Sequence, residues 1–175
     1  MYFFSKIRIL IVVLFVGCHP TPDELIYEQN YLKGLELGAK MNKPIFIHFT
    51  GFACMAYNEF EKDLISSEEI LNKLNEEFIT VQLHVDDRRP IEANDTLNFH
   101  LLEFSEDGQK RINKATNKGH LNLTIQLEKY HTNAQPWYVI IDKKGTDLIE
   151  PFGYTNKNRD HFLLQLKKGL AEFNK

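Results

Sequence analysis

The sequence has 175 residues, of which 43% are hydrophobic and 26% are charged, and its formal net charge is −3. This length and balance are typical of a single globular domain. The acidic surplus argues against nucleic-acid binding, which usually requires a basic surface. We therefore look for function in individual residues rather than in the overall charge.

The N-terminus carries the pattern of an export signal. Lys6 and Arg8 precede an apolar run over residues 9–16, which is too short to span a hydrocarbon core of about 30 Å. Gly17 and Cys18 follow directly and look like the cleavage box of bacterial lipoproteins. In such proteins the cysteine, here Cys18, becomes the lipidated first residue of the mature chain.

These features divide the chain into a signal peptide of the lipoprotein type over residues 1–17, a polar tether over 18–24 and a domain over 25–175. A lipid on Cys18 would hold the domain on a membrane, facing the periplasm or the cell exterior. An ordinary secreted protein and an uncleaved N-terminal anchor are the alternatives. With Cys18 lipidated, Cys54 is the single thiol of the mature chain, and it is either buried and inert or reactive.

Hydrophobic periodicity predicts alternating helices and strands along the domain. In the first half we expect a short strand and then a helix within 25–43, a strand over 45–50, helices over 53–65 and 66–78, and a strand over 78–85. In the second half we expect a hairpin around Asp107-Gly108, a helix over 120–130, strands over 137–142 and 147–153, and a helix over 158–173. The early alternation implies parallel strands, and the late strand pair implies a hairpin. The expected fold is α/β, with a mixed central sheet flanked by helices and an insertion before the helix at 120–130.

Four segments carry a recognisable pattern. They are "NKPIFIHFTGFAC" (42–54), "VDDR" (85–88), "NAQPWYVIIDKKG" (133–145) and "PFGY" (151–154). Their order and spacing resemble the thioredoxin fold and, more specifically, the C-terminal thioredoxin-like domain of bacterial thiol:disulfide interchange proteins of the DsbD type. The resemblance covers residues 25–175. It implies thiol–disulfide exchange with protein thiols or a redox partner protein, and it implies no cofactor.

The resemblance also implies roles for individual residues. Cys54 matches the nucleophilic cysteine at the start of a helix, and Ala53 replaces the usual tryptophan before it. Tyr57 stands where the family has its second, resolving cysteine. Pro136 matches the proline that is cis in this fold and lies against the active-site cysteine. The backbone of Gln135, just before it, would pair with an extended substrate chain.

Physical chemistry leaves alternatives open at several of these positions. A thiol at a helix N-terminus faces unpaired N–H groups and the positive end of the helix dipole, so Cys54 is either an activated nucleophile or a small buried hydrophobe. The Tyr57 hydroxyl either donates to the thiolate or packs over the sulfur. His48 is either a general base or a core histidine. The "DDRR" run at 86–89 is predicted to be a solvated loop.

Two functions follow from this pattern. In the first, Cys54 exchanges disulfides alone and an external thiol resolves the mixed disulfide, because Tyr57 cannot. In the second, the domain is a redox-inactive binding module that pairs a peptide strand with the Gln135-Pro136 backbone and offers Phe52 and Tyr57 as an aromatic contact surface. A zinc site is not expected, because the histidines show no ligand spacing with Cys54: His19, His84, His100, His120, His131 and His161.

Overall fold

The computed structural model describes residues 24–53, 64, 67–91, 103–104, 110–111, 115–153 and 159–175. Its helices are α1 (Tyr31–Met41), α2 (Glu68–Glu77), α3 (Lys118–Tyr130) and α4 (Arg159–Phe173). Its strands are β1 (Ile45–Thr50), β2 (Ile79–His84), β3 (Glu103–Phe104), β4 (Lys110–Arg111), β5 (Trp137–Ile141) and β6 (Phe152–Gly153). These elements have the types that the sequence predicts, although α3 begins at Lys118, two residues before its predicted segment. The short strand predicted before α1 is only an isolated bridge between Glu28 and Val81. The helix predicted over 53–65 lies largely outside the described residues.

The central sheet has the strand order β2-β1-β5-β6. β1 pairs with β2 in parallel and with β5 antiparallel, and β6 is antiparallel to β5. This confirms a mixed sheet in which the early strands are parallel and the late strands form a hairpin. β3 and β4 form a separate antiparallel pair, which is the small hairpin predicted around Asp107-Gly108.

Both faces of this sheet are covered by helices. On one face, the branched and aromatic side chains of Ile47, Phe49 and Val81 pack with α1 and α3. On the other, Phe46 and Tyr138 pack with α2 and α4. Because both faces are buried, β1 and β2 show no exposed position at all, unlike the strands of a sheet with one solvated face.

Glycines allow α1 to lie close to the sheet. Gly34 and Gly38 weaken the prediction of a helix in this segment, since glycine has low helix propensity. In the structure a Cβ atom at Gly34 would collide with Val81, and one at Gly38 would lie 2.8 Å from the Ile45 side chain. The two glycines therefore serve the packing of α1, and burial against the sheet compensates their propensity.

The strand predicted over 147–153 is shorter than expected. Only Phe152–Gly153 pairs with β5 as a strand, and Asp147 forms an isolated bridge with Ile141. Pro151 lies between the two paired parts and has no backbone N–H to donate to a ladder.

Among the residues that the structure describes, no helix has the length and apolar character to cross a membrane.

Candidate functional site

The turn that follows β1 is fixed by a carboxylate from the end of β2. The backbone N–H of Phe52 donates to Asp86 Oδ1 at 2.9 Å, and the N–H of Ala53 donates to Asp86 Oδ2 at 3.2 Å. A Cβ atom at Gly51 would lie 3.2 Å from the same carboxylate, so a larger residue there would crowd it. Asp86 thus holds the two residues that directly precede Cys54 in the chain.

An aromatic side chain marks this turn on the surface. The Phe52 ring stacks on the ring of His84, with centroids 3.9 Å apart and planes 9° apart. His84 is buried, whereas Phe52 is 61% exposed. Ala53 is exposed as well, while Gly51 is buried. The chain therefore rises from the sheet at Gly51 and reaches the surface one residue before Cys54.

Beneath the turn, His48 is a buried histidine of the core. It is 2% exposed, and its ring lies 4.9 Å from the Tyr138 ring. Burial, with a smaller contribution from repulsion by His84, lowers the pKa of His48 to about 3. The imidazole is therefore neutral at physiological pH and has too little basicity to act as a general base there.

The prediction that residues 86–89 form a solvated loop is wrong for Asp87. Its side chain is 5% exposed and receives hydrogen bonds from Arg89, with Nη2 2.6 Å and Nε 2.9 Å from Oδ2. The backbone carbonyls of Asp87 and Arg89 accept from the N–H groups of Gly119 and Lys118 at the start of α3. The charged run at 86–89, which begins with Asp86, is therefore hydrogen-bonded to the start of α3.

The segment before β5 lies beside the same turn. The Gln135-Pro136 peptide bond is cis, Pro136 is buried and Gln135 is half-buried. Because Phe49 pairs with Trp137 in the antiparallel register, Pro136 lies at the same edge of the sheet as Thr50 and Gly51. The side-chain amide of Gln126 donates to the carbonyl of Ala134 at 2.7 Å and thereby ties this segment to α3.

At one end of the sheet the structure brings together five residues that were predicted for the site and one that was not. The predicted residues are His48, Phe52, Ala53, Gln135 and Pro136, and the additional one is Asp86. Cys18, Cys54 and Tyr57 lie outside the described residues, so their predicted roles stay predictions. Within the residues described, no group of three or more His, Cys, Asp or Glu side chains could hold a metal ion.

Sequence reasoning missed Asp86 and His84 as parts of this site. A signal was present, because β1 and β2 were predicted to be parallel and the carboxyl ends of neighbouring parallel strands lie at one edge of a sheet. The "VDDR" segment follows β2 as "TGFAC" follows β1. Residues at the two strand ends were therefore candidates for direct contact, despite a separation of 34 positions in the chain.

Replacing Asp86 with asparagine is expected to lower the pKa of Cys54 by roughly 0.5 to 1, because it removes a negative charge that is hydrogen-bonded to the two residues preceding Cys54 in the chain. The pH dependence of the alkylation rate measures this pKa. Glu36→Gln is the matched control, since it removes an exposed carboxylate from α1. An unchanged pKa in Asp86→Asn would show that Asp86 only shapes the turn.

Solved structures with the same architecture are known. A DsbH oxidoreductase matches with a TM-score of 0.57 and 18% sequence identity, over 95% of this chain and 95% of that one. A thioredoxin from Thermus thermophilus matches with a TM-score of 0.52 and 15% identity, over 83% of this chain and 87% of that one. No protein-family model and no curated protein matches the sequence. The chain therefore has a thioredoxin fold, and identities at this level establish the fold alone.

Proposed function

We propose that this chain is an exported, lipid-anchored thioredoxin-fold protein that takes part in thiol–disulfide exchange through Cys54. Residues 1–17 would direct export, and a lipid on Cys18 would hold the domain on a membrane, facing the periplasm or the cell exterior. The supporting observation is the turn at Gly51–Ala53. Asp86 fixes it, the cis Gln135-Pro136 bond lies beside it, and it brings the chain to the surface directly before Cys54.

The proposed reaction has two steps. The Cys54 thiolate attacks a disulfide in a protein substrate, so that one S–S bond breaks, a mixed disulfide forms and the other substrate sulfur leaves as a thiolate. Tyr57 cannot resolve this intermediate. A thiolate from the substrate itself or from a partner redoxin then attacks the mixed disulfide and releases Cys54 as a thiolate. If the substrate supplies that thiol, the outcome is isomerisation without net oxidation; if a partner supplies it, the substrate is reduced and the partner oxidised.

A trapping experiment tests this proposal on the mature, lipidated protein. The reduced protein is incubated with glutathione disulfide, and its intact mass is recorded before and after addition of reduced glutathione. We expect one glutathione adduct that reduced glutathione removes, and no adduct on Cys54→Ser. Because Cys18 would be blocked by its thioether to lipid, any adduct on Cys54→Ser would reveal an unlipidated Cys18. A native protein that forms no adduct until it is denatured would contradict exchange through Cys54.

The exposed Phe52 favours a second candidate function. An aromatic side chain that is 61% exposed just after the end of β1 offers a contact for a bound peptide, which would pair with the Gln135-Pro136 backbone. In this alternative the domain binds proteins without redox chemistry and Cys54 is an inert packing residue. The trapping experiment separates the two, because only the first function requires an adduct in the native state.

A further inference from the structure

A groove with exposed apolar side chains lies at the end of the sheet opposite the Gly51–Ala53 turn. Its volume is about 310 Å³, and we call it the N-terminal groove; its lining includes Ile26, Tyr27, Leu37, Met41 and Phe78. Ile26 is 65% exposed, Tyr27 42% and Met41 51%. Three large apolar side chains exposed around one groove are unusual for a free surface and point to an interaction site.

The chain enters the domain beside this groove in a fixed position. The N–H of Ile26 donates to Asn75 Oδ1 at 2.9 Å, and Asn75 Nδ2 donates to the carbonyl of Glu24 at 3.0 Å. Glu28 then pairs with the outer edge of β2, where its N–H donates to the carbonyl of Thr80 and its carbonyl accepts from the N–H of Gln82. Residues 24–28 are therefore part of the domain, and Glu24, the first described residue, is bound by Asn75 of the groove lining.

The length of the preceding tether limits how far this groove can lie from a lipid on Cys18. Ile26 lies eight positions after Cys18, and a fully extended chain covers at most ~3.3–3.6 Å per position, or roughly 26–29 Å. This is close to the thickness of a single domain. A domain tethered so closely meets the bilayer most easily with the surface from which its tether emerges.

We infer that the N-terminal groove rests on the phospholipid bilayer, with Ile26, Tyr27 and Met41 inserted at the level of the headgroups. This inference depends on the lipid anchor of the proposed function. Lys40 and Lys43 flank Met41 in sequence, and Lys43 also lines the groove, so that ammonium groups can meet lipid phosphates while the apolar side chains enter the interface. Because Glu28 also lines the groove, the groove is not purely cationic. The apolar side chains of the groove therefore drive its contact with the bilayer.

This orientation has a consequence for the proposed chemistry. β1 begins at Ile45, two residues after Lys43 of the groove lining, and leads to the turn at Gly51–Ala53. Its six residues span about 20 Å. With the groove on the bilayer, the turn faces away from the membrane. Cys54 would then be presented to proteins of the exported compartment rather than to partners embedded in the membrane.

Fluorescence quenching by lipid tests the orientation on the full lipidated chain. In a Cys54→Ser background, Met41→Cys and Leu164→Cys are each labelled with bimane, and the proteins are reconstituted in phosphatidylethanolamine–phosphatidylglycerol vesicles containing brominated acyl chains. Leu164 is the matched control, because it is 48% exposed but lies on α4. We expect quenching at position 41 at least about twofold stronger than at position 164, as for a residue at the headgroup–acyl boundary.

Equal quenching at both positions in lipidated protein would overturn the inference and leave the anchor intact. A mass without lipid would instead contradict the anchor, and therefore the proposed function. Weak quenching at position 41, together with cross-linking between two Met41→Cys molecules, would assign the groove to a second copy of the chain and would equally overturn the inference.

Discussion

Replacement of Arg89 by methionine is expected to lower the free energy of unfolding by about 2–3 kcal/mol at pH 7. The Asp87 carboxylate is 5% exposed, and its oxygens accept from Nε and Nη2 of Arg89 at 2.6–3.0 Å. Methionine keeps the aliphatic stem but leaves this carboxylate buried without its guanidinium. We expect a smaller loss than for a fully buried pair, because the Arg89 side chain is 51% exposed and solvent screens its charge.

Arg88→Met is the matched control, since Arg88 is an exposed arginine in the adjacent position. Chemical denaturation of both variants should show a loss only for Arg89→Met. Hydrogen bonds from Arg89 hold the pKa of Asp87 below its usual value of 3.8, so this stabilisation is present above pH 4 and disappears on further acidification. A loss of equal size in the two variants would contradict a specific role for the Asp87–Arg89 pair.

Acidification is expected to destabilise the wild-type protein through His48. Burial lowers the pKa of His48 to about 3, whereas in the unfolded chain it is about 6.5. Between these values the unfolded state binds a proton that the folded state does not bind, so the free energy of unfolding falls as the pH falls. The loss amounts to about 2–3 kcal/mol between pH 7.5 and pH 4.5.

His48→Gln should lack this part of the pH dependence. The unfolding free energy of the wild type minus that of His48→Gln should therefore fall by about 2–3 kcal/mol between pH 7.5 and pH 4.5. His161→Gln, at an exposed position of α4, is the control and should leave the wild-type pH dependence in place. Parallel pH profiles for wild type and His48→Gln would show that the pKa of His48 is the same in the folded and unfolded states and would contradict this prediction.

Much of the fold could be predicted from the sequence because its elements have strong local patterns. The runs at 45–50 and 137–141 are short and rich in β-branched and aromatic residues, which favours buried strands. The helical spacing of Ile70, Leu71 and Leu74 specifies the buried face of α2. The two glycines of α1 gave a misleading local signal. The glycines allow α1 to pack closely on Val81 and Ile45. This is a tertiary contact, which helix propensity does not take into account.

The support of the candidate site was harder to predict because it is made by distant residues. Asp86 contacts a turn 33 and 34 positions away, and Asp87 is buried in a loop whose carbonyls accept from the start of α3. In the sequence both belong to a run of four charges, which is usually solvated. The resemblance indicated Pro136 and Cys54, but it assigned no role to the Asp86 carboxylate that binds the turn.

The most direct test of the central claim is the rate of Cys54 alkylation between pH 4 and pH 10 on the mature, lipidated protein. A free cysteine has a pKa of about 8.5, and a thiolate stabilised at a helix N-terminus has a lower one. Our account predicts an accessible thiol with a pKa below about 7. A pKa near or above about 8.5, or alkylation only after denaturation, would contradict exchange through Cys54 and indicate a binding module.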